Sequence, residues 1–521
     1  MTWATDPRIA EAFARLPDYL GAHVRVSLAA LALGLALSLP LALLVYRYPR
    51  RRALALAATS IVQTIPGLAL LALFYPLLLG LANLASRTIG VGFPALGFLP
   101  AMLALALYSM LPVLRGAVTG LNGIDPAAAE AARGVGMTPR QALFMVELPL
   151  ALPVIMAGIR TAAVWVIGTA TLATPIGQTS LGNYIFTGLQ TQNWVFVLFG
   201  CAAAALLALA VDAALALTER GLRARRRTAV AGGAAALAAI VVAALLPGMG
   251  RATATYTLAA KPFGEQYILT ALMQQRLEAA GLTARRRDGL GSGVIFAALA
   301  AGEVDAYVDY SGTLWANEMK RDDTPPRETV LAETAHWLTR QHGIVLLGAL
   351  GFANAYALAM PRARAEALGI RSIADLAARA PTLSVAGDYE FFGRPEWTAL
   401  RRAYSLNFRE QRQMQAEFMY PAVASGEIDV IAGYTSDGRI AQFDLSLLDD
   451  PKQALPPYDA ILLVSPKRAR DEALLAALRP LVGAIDLKLM QDANLRASRG
   501  ETPEQVAAWM NRRIRAGVRN P

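Results

Sequence analysis

Two stretches of the sequence echo each other, and each reaches a tyrosine at the end of an apolar run. "GEVDAYVDYSGT" (Gly302–Thr313) matches "GEIDVIAGYTSDG" (Gly426–Gly438). The match aligns Tyr310 with Tyr434, and both follow a helical run, a glycine and an acidic residue. The face of a tyrosine ring attracts a cation, even one that cannot donate a hydrogen bond, by about 0.5–2 kcal/mol. Paired tyrosines therefore suit a cationic ligand, with core packing as the alternative for either ring.

The elements around these tyrosines predict how they are positioned. From about residue 250 onward, strands and helices alternate at moderate polarity, which is typical of an α/β domain. The repeated pattern predicts two similar lobes, and the alternative is coincidence. Because ligands bind beyond the carboxyl ends of parallel strands, Tyr310 and Tyr434 should then lie on opposite walls of one cleft.

Residues for several other chemistries are missing or scattered. The three histidines have no metal-ligand spacing, and the single Cys201 excludes a disulfide framework. None of the five lysines follows a glycine, so the chain has no P-loop to hold ATP phosphates. Asp309, Asp388 and Glu390 could form a carboxylate group, but loop acids near a cation or solvent are the simpler interpretation. We therefore do not expect an enzyme.

The first half of the chain carries six long apolar runs, each close to the roughly 20 residues that span a bilayer. They are Val24–Tyr46, Ala53–Gly80, Pro94–Leu114, Leu150–Ala173, Val195–Leu217 and Ala229–Leu246. Six transmembrane helices are therefore predicted, with buried soluble helices as the alternative. A chain of 521 residues that is 55% hydrophobic yet 17% charged fits a membrane half joined to a soluble half.

Arginine predicts the orientation of these spans. Arg47–Arg52, Arg115–Arg140 and Arg220–Arg227 lie on one side, which the positive-inside rule makes cytoplasmic. Residues from about 250 onward should then lie outside the cell. The net charge of +10 is mostly this orientation signal, so we expect no nucleic acid partner. Residues 1–23 are expected to lie along the membrane surface rather than to form a cleaved signal peptide.

One charged stretch, "EAARGVGMTPRQALFMVELPLALP", interrupts the apolar runs on the predicted cytoplasmic side. Asp125 should cap a first short helix that Gly136 ends, and Thr138 should cap a second that Pro149 ends. We expect a compact knob with charge outside and with Leu143, Phe144 and Val146 inside. It is either an ordinary amphipathic loop or a docking site for a soluble partner.

Glu-Ala-Ala, then Gly136 at a fixed spacing, then "VELP" resembles the EAA motif of bacterial ABC importer permeases. "QTIPGLALLAL" and "IGQTSLGNYIFTG" look like the permeases for quaternary-amine osmolytes, so that the resemblance covers residues 24–218. It implies that the knob couples to a separate ATPase subunit through four residues, Glu130, Ala131, Ala132 and Gly136. One chain has too few spans to enclose a path, so we expect two copies of this chain and two of the ATPase. This chain would bind no cofactor, because ATP would sit on the partner.

The second half resembles the substrate-binding proteins for glycine betaine, choline and carnitine. The matching stretches are "KPFGEQYIL", "VDYSGT", "FANAYALAM", "GYTSDGRI" and "LPPYDA". The resemblance implies a two-lobed clamshell over residues 255–521, with one lobe at about 255–352 and 459–521 and the other at about 357–455. The crossovers would be Gly351–Tyr356 and Pro456–Asp459. Residues 219–254 would then hold a basic loop, the last span and a linker.

The resemblance also implies a ligand site. Carried over residue by residue, the aromatic cage would be Tyr310, Tyr356, Tyr434 and Tyr458. Gln266 and Thr313 would hold the polar end of the ligand, and Arg394 is a further candidate for a ligand carboxylate. This sequence departs from the family at "DYSGT", which puts the polar wall in doubt but keeps the tyrosine.

Together these features predict an all-α membrane domain with six transmembrane helices, followed by an α/β two-lobed binding domain. The expected function is ATP-driven import of glycine betaine, choline or carnitine. Such a chain would lie in a bacterial inner membrane, multi-pass, with its binding domain on the extracytoplasmic side. An alternative cargo is ergothioneine or another trimethylated amino acid, and a ligand-gated membrane sensor is the rival from another class.

Overall fold

The computed structural model describes residues 7–89, 93, 95–190, 193–246, 255–321, 323–388 and 391–517. Almost all described residues up to 246 form one compact helical unit, and those from 255 onward form an α/β unit. The expected fold class, an all-α apolar domain followed by an α/β domain with two sheets, is confirmed.

The described part of the helical unit contains ten α-helices. They are α1 (Pro7–Val45), α2 (Pro49–Thr64), α3 (Gly67–Ile89), α4 (Phe98–Asn122), α5 (Pro126–Gly134), α6 (Pro139–Ala142), α7 (Leu148–Ala170), α8 (Gly182–Gln190), α9 (Trp194–Arg223) and α10 (Arg227–Leu245). Residues 7–23 and the first apolar run are one continuous helix, α1.

Five helical stretches are long and apolar enough to cross a membrane. They are Arg8–Val45, Phe98–Asn122, Pro139–Ile176, Trp194–Arg223 and Arg227–Leu245. The apolar run Ala53–Gly80 is not one continuous helix, because α2 and α3 meet there at 99°. Ile65 precedes Pro66 and has extended backbone angles, φ −72° and ψ 129°, which end α2. The two helices together make a sixth passage only as a bent pair.

Helices α4 and α7 pack closely because glycines face each other. A Cβ on Gly116 would lie 2.9 Å from the Cα of Gly158, and a Cβ on Gly158 would lie 2.6 Å from the carbonyl oxygen of Pro112. Small residues at such a crossing allow two helix backbones to approach within van der Waals contact. This contact fixes the middle of α7 relative to α4.

The charged stretch between α4 and α7 forms the two short helices predicted for it. The Asp125 carboxylate accepts a hydrogen bond from the backbone N–H of Ala127 at the start of α5. Gly136 has φ +81°, a conformation that favours glycine, and it separates α5 from α6. Thr138 and Gln141 form a reciprocal capping box at the start of α6.

Two details predicted for this stretch are wrong. Pro149 does not end a helix, since a π-helical turn over Leu143–Glu147 runs directly into α7, where Pro149 occupies the first turn. A proline is tolerated there because the first-turn N–H groups have no intrahelical acceptor. Phe144 is not inside the knob either, because 63% of its surface is exposed.

The described part of the α/β unit contains twelve α-helices and ten strands. The helices are α11 (Gly264–Ala279), α12 (Ser292–Ala300), α13 (Ser311–Thr313), α14 (Arg327–Trp337), α15 (Arg362–Leu368), α16 (Ile373–Arg379), α17 (Pro395–Tyr404), α18 (Ala416–Ala424), α19 (Arg439–Gln442), α20 (Glu472–Leu478), α21 (Leu487–Ser498) and α22 (Pro503–Gly517). The strands are β1 (Tyr256–Ala259), β2 (Ala284–Arg287), β3 (Ala306–Tyr310), β4 (Val345–Ala353), β5 (Tyr356–Pro361), β6 (Ser384–Gly387), β7 (Glu410–Gln413), β8 (Val430–Tyr434), β9 (Leu445–Leu447) and β10 (Asp459–Val464).

The ten strands form two five-stranded sheets with matching topology. The order is β2-β1-β3-β10-β4 in the first sheet and β7-β6-β8-β5-β9 in the second. The chain enters the second sheet between β4 and β5 and returns to the first between β9 and β10, so each sheet defines one lobe. The echoing sequence motifs form β3 and β8, which occupy the same middle position of their sheets. Each pairs with an antiparallel strand that adjoins a crossover, β10 or β5.

Candidate ligand-binding site

The carboxyl ends of β1 and β3 form the first-lobe side of the site. The two strands are parallel neighbours, so the start of α11 and the end of β3 lie at the same edge of the sheet. Tyr310 is the last residue of β3, and the Gln266 side-chain amide donates a hydrogen bond of 3.1 Å to its hydroxyl oxygen. Thr313 follows in α13 and is buried. Three of the predicted site residues therefore share this edge.

The second-lobe side is aromatic. Tyr356 begins β5 and Tyr434 ends β8, and the two residues are direct partners in the antiparallel register. Their ring centroids lie 4.8 Å apart. Tyr458, in the second crossover, sets its ring perpendicular to that of Tyr356 at 5.9 Å, and the Phe391 ring lies 5.1 Å from Tyr356. We call Tyr356, Phe391, Tyr434 and Tyr458 the aromatic cluster.

Tyr310 has different surroundings from the other three predicted tyrosines. Its ring stacks on Phe263 with centroids 6.1 Å apart, and the Lys261 ammonium lies 5.6 Å from its centroid. Lys261 forms a buried ion pair with Asp309, the neighbour of Tyr310 in β3. The Tyr310 hydroxyl donates to the Glu265 carboxylate. A protein cation therefore already lies near this ring, as the Arg394 guanidinium does near the Tyr356 ring.

Two carboxylates accept hydrogen bonds from the aromatic cluster. The Tyr434 hydroxyl donates to Asp388 over 2.7 Å and lies 3.1 Å from the Tyr356 hydroxyl oxygen. The Tyr458 hydroxyl donates to Glu396. Burial, followed by the charge of Glu396, raises the pKa of the Tyr458 hydroxyl well above its usual value. The hydroxyl therefore stays a neutral donor, and its bond to an anion adds electron density to the ring.

Arg394 lies at the same place and is buried rather than on the surface. Its guanidinium is 5.3 Å from the centroid of the Tyr356 ring and forms an ion pair of 3.0 Å with Glu396. Only 8% of its surface is exposed. A ligand carboxylate at this position would share the guanidinium with Glu396.

Sequence reasoning missed the carboxylate at the centre of the site. Glu265, next to Gln266 in the first turn of α11, is buried and accepts hydrogen bonds from both lobes. Burial raises its pKa, while hydrogen bonds from Ser436, Tyr310 and Asn494 act in the opposite direction. Its only sequence signal was its place in "KPFGEQYIL", because its partners lie far away along the chain.

The three acids considered as a carboxylate group have separate roles. Asp309 is not a loop acid but a strand residue buried against Lys261 and the Tyr307 hydroxyl. Tyr307 is itself fully buried. Asp388 contacts the aromatic cluster, and Glu390 lies outside the described residues. Among the described residues no group of three or more His, Cys, Asp or Glu side chains could hold a metal ion.

The predicted coupling residues form a second candidate site, in the helical unit. Glu130, Ala131 and Gly136 are exposed, and Ala132 is buried. Three apolar side chains are exposed on the same segment: Val135, Phe144 and Met145. An apolar patch with flanking charge on a polar segment is typical of a protein docking surface.

Glu147 ties this segment to the end of α1. Its carboxylate accepts a hydrogen bond of 2.8 Å from the Tyr46 hydroxyl and one of 3.1 Å from the Arg47 guanidinium. Because Glu147 directly precedes α7, a displacement of the segment would be passed to α1 and α7 together.

Comparison with known proteins agrees with this division of the chain. Residues 33–224 match the inner membrane component of binding-protein-dependent transport systems, and residues 254–512 match the substrate binding domain of ABC-type glycine betaine transport systems. The chain belongs to the family of ABC importer proteins in which such a permease and such a binding domain are fused. It is therefore a membrane protein and a transport subunit.

Three relatives cover different parts of the chain. An ergothioneine transport permease/ergothioneine binding protein, EgtU of Helicobacter pylori, is 30% identical over 85% of this chain and 80% of its own length. The choline transport system permease protein OpuBB of Bacillus subtilis is 40% identical over 38% of this chain and 85% of its own length. A glycine-betaine-binding protein of Pseudomonas aeruginosa is 33% identical over 49% of this chain and 86% of its own length.

The buried Lys261–Asp309 pair predicts that two lysine variants differ strongly in their free energy of unfolding. Lys261→Met leaves Asp309 buried without its counter-charge and should cost about 3–5 kcal/mol of unfolding free energy. Lys488→Met is the control, since Lys488 and Asp492 form an exposed pair that should contribute under about 1 kcal/mol. Urea unfolding of residues 255–521 measures both. Equal losses in the two variants would contradict the buried pair.

Proposed function

We propose that this chain is the permease and receptor of an ATP-driven importer, and that its cargo is a quaternary ammonium compound held by the aromatic cluster. The observation that carries the proposal is the meeting of Tyr356, Tyr434 and Tyr458 beside the two crossovers. A trimethylammonium group spreads its charge over methyl groups and has no proton to donate. Ring faces bind it through their quadrupole and by apolar contact.

The charges around the cluster support a cationic ligand. Asp388 and Glu396 each accept a hydrogen bond from a cluster tyrosine, which makes the ring faces more negative. Arg394 beside Tyr356 offers a positive group for a ligand carboxylate. A cation and a carboxylate held a few ångströms apart are the two ends of a betaine-type zwitterion. Gln266 and Thr313 would contact its polar end from the first lobe.

Ergothioneine is the second candidate cargo. The relative that spans most of this chain is named for ergothioneine, whereas the betaine and choline relatives each cover one half. Ergothioneine carries both a trimethylammonium and a carboxylate, so the same residues would bind those groups. Its imidazole-thione ring would need further space beside the cluster.

The proposal extends to the remaining parts of the machine. Two copies of the chain would enclose the translocation path, with the binding unit on the extracytoplasmic side of a bacterial inner membrane. The exposed segment around Glu130 would dock on a separate ATPase subunit, one for each copy. ATP would bind only to that partner. A sensor that does not transport would have no need of this docking segment.

Calorimetry on residues 255–521 tests the cargo. Betaine, choline, carnitine and ergothioneine are titrated into the unaltered domain and into Tyr356→Leu and Tyr434→Leu, which keep bulk but lose the ring. Each loss should weaken binding of the true ligand by about 1–3 kcal/mol. Tyr404→Leu is the matched control: Tyr404 is also buried with its hydroxyl on a carboxylate, Asp450, but lies at the far end of α17. Binding of none of the four compounds would overturn the proposal.

A second variant tests coupling to the ATPase. Glu130 is exposed on α5, where it could contact the ATPase subunit. Glu130→Ala should therefore abolish most of the ligand-stimulated ATP hydrolysis of the complete complex in lipid nanodiscs, and should leave ligand affinity unchanged. Glu366→Ala, an equally exposed glutamate on α15, should leave the stimulation intact. Full stimulation in Glu130→Ala would show that this glutamate is not a coupling residue.

A further inference from the structure

Glu265 receives four hydrogen bonds on one buried carboxylate. Its Oε1 accepts from the Tyr310 hydroxyl and, over 3.1 Å, from the Asn354 amide. Its Oε2 accepts from the Ser436 hydroxyl over 2.6 Å and from the Asn494 amide over 2.8 Å. Only 5% of the surface of Glu265 is exposed.

The four donors come from four different parts of the binding unit. Tyr310 ends β3 in the first lobe, and Asn354 lies in the first crossover, between β4 and β5. Ser436 follows β8 in the second lobe. Asn494 belongs to α21, which packs on α11 and β4 of the first lobe. One side chain of the first lobe thus joins the hinge and the second lobe.

The second-lobe donor is close in sequence to the aromatic cluster, and the residue between them is bonded to the first crossover. Ser436 stands two residues after Tyr434. Between them, the Thr435 hydroxyl donates to the carbonyl oxygen of Ala353 over 3.1 Å and accepts from the N–H of Ala355 over 3.0 Å. A shift of Ser436 relative to Glu265 would therefore move Tyr434 relative to the first lobe.

Helix α21 of the first lobe also contacts the second-lobe segment after β8, and this contact forms the boundary between the lobes. The Gln491 amide donates to the carbonyl oxygen of Thr435 over 3.0 Å. Gly438 lies so close to α21 that a Cβ there would stand 2.4 Å from the backbone nitrogen of Leu495. The segment after β8 and α21 are in direct backbone contact, so the boundary leaves no room for a larger residue at this point.

The chemistry at this position requires an acid. An ionised carboxylate is acceptor-only and can take two hydrogen bonds on each oxygen, which matches the four donors. Glutamine has the same shape but replaces one oxygen with an NH₂ group. That group would face one hydroxyl, which can turn to accept a hydrogen bond, and one amide N–H, which would lose its acceptor.

We propose that Glu265 is a positioning residue of the amine site, which sets the angle between the two lobes at the hinge. In this role it places the aromatic cluster relative to Gln266, Tyr310 and Thr313. The inference rests on the proposed function, because a receptor of this kind captures its ligand by bringing the two lobes together. It adds a residue that acts through lobe geometry rather than through contact with the ligand.

The test measures the lobe angle directly in the full chain in lipid nanodiscs. Single-molecule energy transfer is recorded between dyes on Glu366→Cys and Glu472→Cys, exposed sites on the second and first lobe, in a Cys201→Ser background. The variants are Glu265→Gln and Asn494→Ala. Ser384→Ala is the control, because its hydroxyl bonds Asp429 within the second lobe only. Each protein is measured without ligand and across a titration with glycine betaine, choline, carnitine and ergothioneine.

Glu265→Gln and Asn494→Ala should lower the ratio of short-distance to long-distance molecules about tenfold, and should raise the Kd of the bound amine by a similar factor. Ser384→Ala should change neither quantity. An unchanged distance distribution in both test variants overturns the inference, whether or not the Kd changes. If the unaltered chain binds none of the four compounds but Glu265→Gln still shifts the distribution, the cargo proposal fails and the role of Glu265 stands. If Glu265→Gln does not fold, Asn494→Ala decides the question.

Discussion

The pairing of β5 with β8 places Tyr356 opposite Tyr434, and the binding unit is organised around this register. Tyr356 is the first residue after the first crossover, and Tyr458 lies in the second. The aromatic surface is therefore part of the hinge region rather than of one lobe alone. A one-residue slip of β5 would turn Tyr356 to the other face of the sheet and remove it from the cluster. The fold thus makes the aromatic cluster depend on the backbone contacts beside a crossover that joins the two lobes.

The two units divide the work of transport. The binding unit contains the polar and aromatic groups that can recognise a ligand, whereas the helical unit presents the exposed segment around Glu130. Covalent linkage of receptor and permease raises the local concentration of one at the other. Glu147 joins the exposed segment to the end of α1 through Tyr46 and Arg47. A displacement of the segment would therefore move both α1 and α7.

Local pattern was enough for much of the fold. Apolar length predicted the membrane helices, and Asp125 and Thr138 predicted where α5 and α6 begin. The repeat of "GEVDAYVDY" in "GEIDVIAGY" predicted that β3 and β8 are equivalent strands, because the pattern of glycine, acid and apolar residues is local. Apolar length alone did not show the bend after Ile65, which Pro66 marks in the sequence.

Long-range polar contacts could not be predicted in the same way. Glu265 meets Asn494 across 229 positions of sequence, and Lys261 meets Asp309 across 48. Nothing in the residues near Glu265 shows that four donors from separate elements converge on it. The same holds for Arg394, since nothing in its sequence context shows that it is buried against Tyr356 and Glu396. Whether a charged residue is buried depends on tertiary packing, which sequence periodicity does not reveal.

A crystal structure of residues 255–521 with the amine identified by calorimetry would test the central claim most directly. The account predicts that the ligand nitrogen lies within about 6 Å of the ring centroids of Tyr356, Tyr434 and Tyr458, which is the range of a cation–π contact. The Glu265 carboxylate should still hold its four donors, without touching the ligand. A ligand bound elsewhere, with these three rings packed together and shielded from it, would contradict the account.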